Sequence, residues 1–127
     1  MLIMEHSNWA FTRKPYDLCE RLFIFACAIT RLAKYLHSRG PIAVALCPQL
    51  LKSGTSAGAN YEEADDGSSP SDTLAKRRIV LREFKETNFR LRILRAEQIL
   101  TSAHDPVIRE SAELVKIVAT IVRNSRK

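Results

Sequence analysis

Leu18, Leu22, Phe25, Ile29, Leu32 and Leu36 recur at steps of four and three. That spacing puts apolar side chains on one face of an α-helix. Pro15 suits a first helical turn, and Gly40-Pro41 marks a clean end. Phe23, Ile24 and Ala28 broaden the apolar face, so this helix is expected to meet both a bundle core and another subunit. Residues 1–14 carry no period. Trp9 and Phe11 make them an arm that docks on the bundle or on a neighbour.

A second helix is predicted from about Ile42 to Asp65, with Pro48 either kinking it or marking its true first turn. Leu46, Leu50, Gly54, Ala57, Tyr61 and Ala64 form one face, and Gln49, Ser53, Ser56, Asn60 and Glu63 the other. The run Ser53-Gly54-Thr55-Ser56-Ala57-Gly58-Ala59 has poor intrinsic helix strength. Small residues in a helix imply that a neighbour approaches closely, and a loop is the rival reading. Asp65–Pro70 is a turn, with Ser69 capping a third helix, Pro70 at its first position and Asp72 opposing the helix dipole.

The third helix is predicted from Pro70 to Leu100, about 45 Å at 1.5 Å per residue. Val80, Phe84, Leu91 and Leu94 make its apolar stripe, with Thr87 in register; Lys76, Ile79, Glu83, Glu86 and Arg90 make a second, mostly charged one. Asp105-Pro106 restarts the chain. A fourth helix over residues 106–124 is expected to bury Val107, Ser111, Leu114, Val118 and Ile121, flanked by Ile108, Val115 and Val122. Four helices with short connections predict an all-α fold: one antiparallel up-down-up-down four-helix bundle over residues 15–127. The basic end of the chain, from Arg123 on, is expected to fray.

Charge sharpens this picture. The chain of 127 residues carries a formal net charge of +6. Between Lys76 and Arg95 eight basic residues face only Glu83 and Glu86, an excess equal to that of the entire chain. Arg77, Arg78, Arg82, Lys85, Arg92 and Arg95 are therefore candidate contacts to nucleic-acid phosphates; a solvated face is the competing reading. Together they span a wide arc of the helix. Only Phe84 and Phe89 are aromatic there, so binding is expected to tolerate sequence.

Gln49, Ser56, Asn60 and Glu63 together with Lys76, Glu83 and Glu86 suggest a structural polar seam that sets bundle register or joins subunits, because buried polar groups need partners. Glu83 and Glu86 read less well as a catalytic pair, since Arg82 and Arg90 stand one turn from Glu86 at ion-pair spacing. No Glu-x-x-His precedes His6, His37 or His104, which argues against a di-iron bundle and for exposed or capping histidines. Neither a Gly-rich phosphate loop nor a nucleophile elbow occurs, and no metal, cofactor or enzymatic activity is expected. Cys19, Cys27 and Cys47 read as small buried hydrophobes in a reducing cytoplasm. The longest apolar run of the first helix is too short to span a bilayer, and a cytoplasmic, non-membrane protein is expected.

Gln49, Lys52, Ser56, Asn60 and Glu63, followed by Lys76, Glu83, Glu86, Thr87, Phe89 and Leu91, resemble the four-helix bundle proteins encoded in intervening sequences of bacterial 23S ribosomal RNA genes. Ala64 departs from that family's usual glycine, and Thr73 and Arg90 stand where an aromatic is frequent. The resemblance implies a homo-oligomer, specifically a barrel-like pentamer, without established catalysis. A related branch, the accessory proteins of diversity-generating retroelements, is basic and binds nucleic acid and a reverse transcriptase. The reading is thus a non-enzymatic oligomer binding RNA or DNA, with a protein-interaction module as the alternative.

Overall fold

Asp17 opens α1 (Leu18–Leu36) by accepting the Cys19 N–H on its carboxylate at 3.0 Å, a side-chain cap for an otherwise orphan donor. The computed structural model describes residues 17–125. The arm expected at residues 1–14 and the helix start expected at Pro15 lie outside them. Every member of the α1 stripe from Leu22 to Leu36 is buried, and Leu18 is half-buried. Of the residues that broaden this apolar face, Ala28 is buried and Ile24 half-buried, and Phe23 stands on the outer surface.

Gly40, at φ +105°, turns the chain into α2 (Pro41–Asp65), a conformation that glycine adopts without a Cβ penalty. Pro48 lies inside this helix on its exposed side. The small-residue run is helical throughout, so the loop reading is set aside. The cause is close packing: a Cβ at Gly54 would come within 2.8 Å of the Ile29 side chain. Ile29 is fully buried and has no room to withdraw.

Ser69 caps α3 (Pro70–Ala96) by accepting the Asp72 N–H at 3.1 Å, as its sequence predicts. The helix ends four residues before the expected Leu100. Gln98 takes φ +62°, and the Ile99 and Leu100 N–H groups both return to the Leu94 carbonyl at 3.0 Å. This closes the last turn, and Leu100 folds into the core. A short 3-10 turn, Ser102–His104, leads into α4 (Asp105–Ser125). There Val107, Ser111, Leu114 and Val118 are buried as expected, but Val122 replaces Ile121 on the buried face. α4 is helical through Ser125, and Arg126 and Lys127 lie outside the described residues.

Cross-helix pairs fix the direction of each neighbour. Ser53 meets Thr87, Ser56 meets Glu83 and Asp65 meets Arg77, so α2 and α3 run antiparallel. Asn88 meets Ser111 and Arg95 meets Asp105, so α3 and α4 do too. Phe25 of α1 and Phe84 of α3, both fully buried, meet edge to face at 5.8 Å. Arg21 of α1 reaches Glu110 of α4 with two hydrogen bonds of 2.8 Å. The result is an all-helical, antiparallel four-helix bundle. No helix among the described residues is long and apolar enough to cross a membrane.

His104 is buried, not exposed, and it caps: its Nδ1 accepts the Thr101 N–H at 3.0 Å. His37 is the exposed C-cap residue of α1, and His6 lies outside the described residues. Burial lowers the His104 pKa below its ordinary value. Its stabilising contribution is therefore complete above the unfolded histidine pKa of about 6.5 and is lost as pH falls through that value towards the folded one. Denaturant unfolding at pH 7.5 and 5.0 checks this. The parent is expected to lose stability on acidification by at most about 1.4 kcal/mol per pH unit from this group, and His104→Gln is expected to lose that increment. Equal acid sensitivity in parent and variant would remove His104 as its source.

Candidate nucleic-acid interface

The direction of the α3 core decides which basic residues face outward. Val80, Phe84, Thr87, Leu91 and Leu94 are buried. At 3.6 residues per turn, Arg78, Arg82, Lys85 and Arg92 fall on the opposite side, and all four are exposed. Among the described residues none of them has a carboxylate within ion-pair distance.

Arg77 and Arg95 behave differently. Arg77 lies over the Tyr61 ring at 5.6 Å, and its Nη2 reaches Asp65 at 3.1 Å. Arg95 Nε donates to Asp105 at 2.9 Å, tying the end of α3 to the start of α4. Of the six candidate phosphate contacts, four thus form an open stripe and two are engaged in tertiary ion pairs. The wide arc expected from sequence narrows once Arg77 and Arg95 are set apart.

The polar seam occupies the α2–α3 side of the same helix. Glu83 is its hub: one carboxylate oxygen accepts the Ser56 hydroxyl and the other the Asn60 amide at 2.8 Å. Deeper in, the Ser53 and Thr87 hydroxyls share a hydrogen bond of 2.8 Å, and Thr87 also donates to the Glu83 carbonyl at 2.9 Å. Two open clefts flank the hub. Gln49, Lys52, Ser53, Glu83, Glu86 and Arg90 line one of about 190 Å³. Asn60, Glu63, Lys76 and Ile79 line the other, of about 170 Å³.

Other expected members sit at the rim. Lys76 pairs with Asp72 at 3.5 Å rather than with Glu83. Glu86 pairs with Arg90 at 3.5 Å, while Arg82 stays on the open stripe. Gln49 and Glu63 are exposed lining residues. Ser53 and Thr87 belong to the seam, although Thr87 reads as a stripe position in sequence. Their spacing is the available signal, since Ser53 precedes Ser56 by three and Thr87 follows Glu83 by four.

Two further features escape the sequence reading. Glu110 is buried, with 1% exposure, and bound by Arg21, whose guanidinium also reaches Glu113 at 2.9 Å. Phe89 is exposed in the middle of the basic stripe. Cys47 is buried as expected, and burial pushes its thiol pKa up, but Cys27 is exposed and Cys19 half-buried. No cluster of three or more metal-ligating side chains occurs among the described residues.

The fold and site define a class: an all-α antiparallel bundle with a hydrogen-bonded α2–α3 seam and a basic outer stripe. Its coordinates are similar to the crystal structure of a protein with unknown function from the S23 ribosomal protein family of Bacteroides thetaiotaomicron VPI-5482. The TM-score is 0.76 at 29% identity, covering 84% of this chain and 98% of that one. No family model and no curated protein matches the chain.

Proposed function

We propose that this chain is a non-enzymatic, oligomeric helical-bundle protein of the cytoplasm that binds RNA or DNA phosphates through α3. The observation that carries the reading is the open stripe: Arg78, Arg82, Lys85 and Arg92 are exposed, aligned and without carboxylate partners among the described residues. Uncompensated cations on one helix face attract a polyanion, and the counterions it releases make the attraction salt-dependent. Kinship with the intervening-sequence family, and with it a pentameric ring that repeats the stripe, belongs to the same proposal. The likeness to the S23-family protein supports it. Glu83 is best read as architectural, since both its oxygens are occupied by Ser56 and Asn60.

Labelled structured RNA and duplex DNA, titrated at two salt concentrations with nuclease-treated protein sized by light scattering, test the reading. Binding at micromolar protein is expected at low salt and a steep loss at high salt. Arg78→Ala/Arg82→Ala/Lys85→Ala is expected to weaken binding and to flatten the slope of log K against log salt by about 0.9 per lost contact on duplex DNA. No binding at low salt would overturn the proposal. A second reading, a protein-interaction or assembly module, draws on the exposed Phe23 and Ile42; retention of a protein partner without nucleic acid would favour it.

A further inference from the structure

Arg78, Arg82, Lys85, Phe89 and Arg92 follow one another at steps of four, three, four and three. At 100° per residue they fall within about 80° of the helix circumference, and they extend about 21 Å along it. Phe89 is 57% exposed inside that row, one turn from Lys85 on one side and from Arg92 on the other. Phe84, the other aromatic of α3, is fully buried against Phe25.

A large apolar ring held open in a row of cations is poorly matched to water alone. It is equally poorly matched to a second copy of the same stripe, which would bring four like charges against four. A base has a π-face for the ring and phosphates on either side for the flanking cations. Such a base must be unpaired, because in a duplex both its faces are already stacked.

We propose that Phe89 is a stacking platform for an unpaired base, which makes the ligand of α3 a single strand or a looped-out segment of RNA or DNA. This rests on the phosphate-binding reading and narrows it. Lys85 and Arg92 hold the phosphates beside the stacked base, and Arg78 and Arg82 extend the backbone track. With all four cations assigned to phosphates, the row leaves no hydrogen-bonding group for a base edge, so the preference is for strandedness and not for sequence.

A labelled unpaired oligonucleotide and the same sequence closed in a duplex are titrated against the full chain, Phe89→Ala, Phe89→Leu and Phe89→Trp. Phe89→Ala is expected to lose about 5- to 150-fold in affinity for the unpaired strand, with no change in salt slope and little change on the duplex. Phe89→Leu, which keeps apolar area without a π-face, is expected to fail in the same way. Phe89→Trp is expected to restore binding, with indole emission quenched by the unpaired strand beyond any change shown by the parent with its single Trp9.

Equal affinity of Phe89→Ala and parent for the unpaired strand would overturn the platform while leaving the charged stripe intact. Absence of binding by parent and all variants would overturn the phosphate-binding reading as well. A change in light-scattering mass in Phe89→Ala would make the ring a contact between copies and overturn the platform too.

Discussion

Replacing Arg21 by alanine is expected to cost about 3–5 kcal/mol of folding stability, because it strips a buried carboxylate of its guanidinium. The Glu110 side chain is 1% exposed, and Arg21 grips both its oxygens in a planar fork at 2.8 Å. Those hydrogen bonds raise the Arg21 pKa further above its ordinary value, so the cation persists at every accessible pH. Arg21→Lys keeps the charge but not the fork, and an intermediate loss is expected. Arg21→Met/Glu110→Leu removes both charges together and is expected to recover most of the stability, since an apolar pair of similar volume seldom does worse than a buried ion pair. Denaturant unfolding at fixed protein concentration reads all three, concentration being held because assembly shifts apparent stability. A loss below about 1 kcal/mol in Arg21→Ala, the range of a surface pair, would sink the account.

That ion pair also marks where sequence reading stops. Apolar stripes at steps of four and three were legible, because one continuous helix face must meet one core. On α4, Glu110 occupies a position within such a stripe, between Val107 and Leu114. A charged residue there looks like an interruption until its partner, 89 positions away, is known. The early end of α3 was hidden for a different reason. No glycine or proline between Ala96 and Leu100 announces the turn; Gln98 takes the left-handed conformation itself. The small-residue run of α2 was legible as a site of close approach, but Ile29 as the neighbour was not. For the candidate interface, eight basic residues on one helix were visible at once. Their division into an open stripe and the tertiary pairs of Arg77 and Arg95 depends on where Asp65 and Asp105 end up. Those positions are set by neighbouring elements, not by α3.

Phe84→Ala is expected to destabilise the bundle by about 3–5 kcal/mol, the cost of removing a buried aromatic and leaving a cavity that the core fills only partly. Phe84 is fully buried, and its ring meets Phe25 edge to face at 5.8 Å and 64°. It thus joins α1 to α3 across the core, where relaxation of one helix is resisted by the others. In a cycle of Phe25→Leu, Phe84→Leu and their double variant, the pair is expected to show a coupling of about 0.5–1.5 kcal/mol beyond the lost area. Phe89→Ala is the internal control. Five residues along the same helix turn a side chain through about 140° relative to Phe84, enough to carry the same residue type from core to surface. Its effect on stability is expected to stay within about 0.5 kcal/mol. Should Phe84→Ala prove as mild as Phe89→Ala, the assignment of α3 faces would be wrong, and the outward basic stripe would go with it.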